Sequence, residues 1–117
     1  MSYDVDMCVD TGRDYPAEVH GCGNYTYNVS GMYHAVLRGP STHEHGRSHG
    51  LYSLHGVTGA EALPHLDDAI RDFEARREEM ESMNPGNGWG NAEGALRFLR
   101  SIREGCERHP KAMVWVS

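Results

Sequence analysis

Residues 84–91, NPGNGWGN, constrain this chain more than any other segment. A proline, three glycines and three asparagines in eight positions cannot continue a helix. Yet apolar residues recur at helical spacing on both sides. Upstream, Leu63, Leu66, Ile70, Phe73 and Met80 mark one face. Downstream, Ala95, Phe98, Leu99, Ile102 and Cys106 mark another. The spacing predicts two amphipathic helices joined by a dense turn. Each must bury its stripe against something else. The upstream helix opens at Thr58, where T-G-A-E has capping-box spacing with Glu61. It is expected to run to about Met83. Asp67 with Arg71, and Asp72 with Arg76, are four apart and predict pairs on its solvent side. The downstream helix is expected from about residue 92 until His109-Pro110 stops it.

The two ends of the chain supply what the helices pack on. In YDVDMCV, Tyr3, Val5, Met7 and Val9 alternate with polar positions, the pattern of a half-buried strand. DTGRD then turns, and YPAEVH returns as a partner strand. KAMVWVS closes the chain as an apolar, β-branched strand. Between these lie a short helix, with Ser30 as its expected cap and Met32, Tyr33, Val36 and Leu37 as its stripe, and a Gly39-Pro40 stop. LYSL at 51–54 reads as a single helical turn. The expected fold is α+β: a small antiparallel or mixed sheet pairing the N- and C-terminal strands, with about three helices on one face. At 117 residues it is one domain, long enough to bury a core without disulfides or metal.

Charge and cysteine usage narrow the function classes. A net charge of −6 disfavours a nucleic-acid backbone as partner, because phosphate binding needs a surplus of Lys and Arg. Three cysteines, with no C-x-x-C, do not form a disulfide framework and fit a reducing compartment. MSYDVDMCVD lacks the basic start and apolar run of a signal peptide. No segment approaches the roughly 20 apolar residues of a membrane span. A cytoplasmic chain without a membrane role is expected, and self-association is left open.

Two segments carry the polar chemistry. In NYTYN, Asn24, Thr26 and Asn28 would share one strand face and offer amide and hydroxyl groups to one small region. The plainer reading is an exposed strand face leading to a helix cap. In the 84–91 turn, Asn87, Gly88, Trp89 and Asn91 would meet a ligand. The amides opening the last helix would favour an anion, and the Trp89 indole would stack on a flat ring. The plainer reading places Trp89 against the core, with asparagines locking the turn by local bonds. That is its expected position.

Other constellations are poorer. His43, His45, His49 and His55 fall within 13 residues, and imidazoles bind zinc, nickel or copper. Their spacing is not that of a zinc site and no cysteine lies nearby, so neither metal nor cofactor is expected; His43, His45 and His49 would be the ligands if one bound. No G-x-S-x-G elbow occurs. His20 and Cys22 are two apart and would share a strand face, but the flanking glycines suggest a tight turn, and a nucleophile needs a lowered thiol pKa. No catalytic residue is assigned.

Three blocks in order, NYTYNVSGMY, GLYSLHGVTGAEALPHLDDAI and NPGNGWGNAEGALRFLRSIREGCERHP, carry N-x-T-x-N, T-G-x-E and N-P-x-N-G-W-G. Over roughly residues 24–117 this resembles a group of small, uncharacterised bacteriophage proteins of the actinobacteriophage type. The histidine-rich stretch at 43–49 stands outside that pattern. The resemblance implies a phage or prophage setting in a bacterial cell and action by binding. The first expectation is inhibition of a host defence component by protein contact. The alternative is binding or sequestration of a small nucleotide-like or other anionic ligand, using the 24–28 and 87–91 segments. An enzyme using His20 and Cys22, or a metal, ranks last.

Overall fold

The computed structural model describes residues 2–13, 16–40 and 49–117. Strands β1 (Ser2–Val9) and β2 (Ala17–Thr26) form an antiparallel hairpin, and β3 (Met113–Val116) joins the other side of β1. The sheet order is β2-β1-β3, so the two ends of the chain pair as the patterning predicts. Helices α1 (Ser30–Val36), α2 (Gly59–Ala75), α3 (Arg77–Ser82) and α4 (Ala92–Arg108) complete an α+β fold.

The sheet has one covered face. Tyr3, Val5 and Met7 of β1 and Val114 and Val116 of β3 are buried beneath the helices, with Leu66, Phe73, Leu99 and Ile102 opposite. The period of two that puts these residues inside leaves Ser2, Asp4 and Asp6 on the other face. Val9 departs from the alternation and is exposed, because β1 ends there.

β2 is longer than YPAEVH alone suggests, and irregular. Its register against β1 slips twice, leaving Val19 and Cys22 each as an extra residue. Such bulges bend a strand and increase its twist. Cys22 thereby turns inward, where α4 comes close: a Cβ on Gly105 would lie 2.6 Å from its sulfur.

Several local expectations are corrected. Ser30 is the first residue of α1 and not its cap; the cap position is Val29, with no side-chain bond. The capping belongs to Thr26, whose side chain accepts the Asn28 amide at 3.3 Å and opens a 3₁₀ turn over Tyr27–Val29. The strand therefore ends two residues before Asn28. The helix expected to reach Met83 breaks at Arg76, which leaves helical geometry at φ −108°, ψ 31°. Its guanidinium donates to the Ala35 carbonyl at 3.2 Å as well as to Asp72, and pairs with Glu79. Met80, beyond the break, is still fully buried. Asp67 pairs with Arg103 of α4, while Arg71 takes Asp68.

The Thr58–Glu61 capping box forms in both directions. LYSL makes the single turn Leu51–Leu54. Gly50 N donates to Leu37 O at 2.8 Å, and Gly39 N to the Ser53 hydroxyl at 2.8 Å. These bonds join the segment after α1 to that turn.

Candidate functional site

The polar end of β2 and the 84–91 turn meet. Asn24, Tyr25, Thr26, Asn28, Asn87 and Trp89, with Ser2, line one open cleft of about 570 Å³. That volume falls in the range of small-molecule sites, roughly 300–1,000 Å³. The register explains half of the arrangement. Asn24 pairs with Asp4 and Thr26 with Ser2, so both project from the uncovered sheet face. Asn28 reaches the same cleft from the 3₁₀ turn instead of from the strand.

The other half is held by hydrogen bonds within the turn and to Tyr25. Asn84 Oδ1 accepts the Ala92 amide at 2.8 Å, and Asn91 Oδ1 accepts the Gly94 amide at 2.8 Å. Asn87 Oδ1 accepts the Trp89 amide at 3.0 Å. The asparagines lock the turn locally, as the plainer reading of this segment expects. Tyr25, on the helix side of β2, lays its ring near Phe98, and its hydroxyl accepts the Asn91 amide at 3.1 Å. Gly90 has φ +92°, and a Cβ there would lie 2.4 Å from Thr26 Cγ2. The turn can press against the end of β2 only because position 90 is glycine.

Trp89 corrects the expectation that it anchors the turn. It is 68% exposed and lines the cleft, while Tyr25 does the anchoring. Gly88 and Asn91 do not line the cleft. Gly88 supplies a left-handed turn position at φ +78°, and Asn91 caps α4. Tyr25 is the residue that sequence reasoning missed. Its one legible signal was an aromatic alternating with the polar positions of NYTYN, on the opposite face.

The electrostatics do not match the expected anion site. The lining side chains are uncharged. The α4 amides at Ala92 and Gly94 are already occupied by asparagine side chains, and Glu93 stands in the first turn.

The other sequence candidates lie elsewhere. His20 and Cys22 do share the helix-facing side of β2 and both approach Gly105, but within a strand and not in a tight turn. Cys22 is buried, and its thiol pKa is pushed up to about 12, first by burial and then by Cys106 and nearby acids. Burial alone pushes Cys106 up to about 12. A nucleophile requires the opposite shift. His43 and His45 lie outside the described residues. His49 is half-buried, and His55 Nδ1 accepts the Val116 amide at 3.0 Å, covering the edge of β3. Among the described residues, no group of three His, Cys, Asp or Glu side chains could hold a metal ion. Among them, too, no helix is long and apolar enough to cross a membrane. No family model, curated protein or solved structure matches the chain.

Proposed function

We propose that this protein acts by binding a small ligand in the cleft between the end of β2 and the 84–91 turn. The observation that carries the reading is the convergence itself. Two polar segments about 60 residues apart in sequence, each with a plain structural explanation, line one cleft with an exposed indole between them. The cleft is more polar than the usual small-molecule site, with the Trp89 ring as an aromatic platform among amide and hydroxyl side chains that can orient a ligand. The resemblance to small actinobacteriophage proteins favours a phage setting, in which sequestering a host signalling molecule is a coherent role; that argument is by association.

A second reading is favoured by the exposure of Trp89. Tryptophan is also one of the residues most enriched among the anchors of protein interfaces. On that reading the protein inhibits a bacterial defence component by contact.

Native mass spectrometry of the freshly purified protein, before and after denaturation, tests the first reading against the second. A mass excess that disappears on denaturation, and is missing from Trp89→Ala, supports the ligand. A ligand-free mass, together with a host protein complex that Trp89→Ala abolishes, replaces the first reading with the second.

A further inference from the structure

We propose that the cleft selects an uncharged planar ligand with an amide-like edge, the chemistry of a nucleobase or free nucleoside, and gains no affinity from a phosphate attached to it. The proposal rests on the small-ligand reading above.

The charges argue first. An anion withdrawn from water needs a cation or several free amides facing it. Among the described residues no Lys or Arg lines the cleft. The arginines from 71 to 108 pair with carboxylates of α2, α3 and α4. Arg38 borders a separate groove between α1 and α2. Arg13 and Lys111 lie with Cys8 and Met113, at the far end of β1 from Ser2. Asp4, paired in register with Asn24, is the nearest charge along β1 and has the wrong sign for a phosphate.

The uncommitted polar groups argue second. The side chains of Asn24 and Asn28 make no hydrogen bond to another described residue. Asn87 uses only its oxygen, on the Trp89 amide, which leaves its NH₂ to donate. Thr26 Oγ1 accepts from the Asn28 amide, which leaves its hydroxyl proton to donate. A primary carboxamide presents a donor and an acceptor side by side, complementary to a lactam or amino-heterocycle edge. The Trp89 face supplies the stacking surface that every nucleobase can use.

The test is calorimetric titration, with ¹H–¹⁵N spectra of the Trp89 indole and the Asn side-chain amides. The probes are adenosine, guanosine, cytidine and uridine, their 5′-monophosphates, and inorganic phosphate. At least one nucleoside should bind and move those signals, its monophosphate should bind no tighter, and added salt should change the affinity little. Trp89→Ala should weaken binding about tenfold or more, and Trp89→Phe should restore most of it. If a monophosphate binds tenfold tighter than its nucleoside, with affinity falling as salt rises, the ligand class is overturned while the cleft remains a small-ligand site. If no nucleoside moves the cleft signals, the proposal also fails. Should nothing small move them and a protein partner do so, the small-ligand reading falls with it.

Discussion

The Tyr25 hydroxyl accepts the backbone amide of Asn91 at 3.1 Å, joining the last residues of β2 to the N-cap of α4 across 66 positions of sequence. The same ring lies over Gly94, where a Cβ would come within 2.0 Å of the phenolic oxygen. One tyrosine thus fixes where the turn sits against the sheet, and with it the mouth of the cleft. Removing the hydroxyl in Tyr25→Phe should cost about 1 kcal/mol, the ordinary net value of one hydrogen bond, in urea unfolding. Gly94→Ala is the sharper case. Gly94 is the third residue of α4, where by helix propensity alone that change is favourable. Here the steric conflict should reverse the sign and destabilise by about 1–3 kcal/mol. A stabilised Gly94→Ala would show that Tyr25 does not lie on α4.

Trp89 should be dispensable for folding. Being largely exposed, Trp89→Ala should shift unfolding free energy by no more than about 0.5 kcal/mol. Phe73→Ala, in the fully buried core, should cost about 3–5 kcal/mol. Parallel thermal melts separate the two. A large loss for Trp89→Ala would return the indole to a structural role.

Asp6 should make the protein less stable at neutral pH than in mild acid. Its pKa is raised from an ordinary 3.8 to about 6, first by burial, then by the Glu18 carboxyl it bonds and by the charges of Glu18 and Asp4. Between those two values the folded state holds a proton that the unfolded chain has released. Asp6's contribution is therefore present in full below the lower value and is lost as pH rises through the upper one. Asp6→Asn should raise the melting temperature at pH 7 and flatten this part of the profile. An unchanged profile between pH 4 and 6 would remove the assignment.

All three thiols should be silent in the native state. Cys8, Cys22 and Cys106 are buried, and each pKa is raised, with burial the first cause. A thiol reagent at pH 8 should react only at the rate of opening, and fully once denaturant is added. Rapid reaction of Cys22 in the folded protein would reopen the nucleophile reading.

Local pattern alone was enough to locate the α4 stripe, the buried Tyr3, Val5 and Met7 of β1 and the Thr58 capping box, though not the exposed Val9 or the buried Cys8. In each case the information lies within a few residues: a repeat of 3.6 or 2, or a hydroxyl three positions from a carboxylate. The same local rules place Asn91 and Asn87 in a turn and leave Asn24 and Thr26 on one strand face. They could not show that the two segments meet. That depends on a hairpin register with two bulges, on glycines at 90 and 94 that admit close approach, and on Tyr25 reaching from one segment to the other. Nor could they place Trp89. A large aromatic in a turn gains most by burial, and local pattern has no term for a neighbour that already fills the space. Tyr25, packed near Phe98, occupies the position under the turn, and the indole is left outside, facing the cleft. Periodicity therefore determined most of the elements and most of their inner positions. Long-range packing against glycine and one tyrosine hydroxyl decided the site.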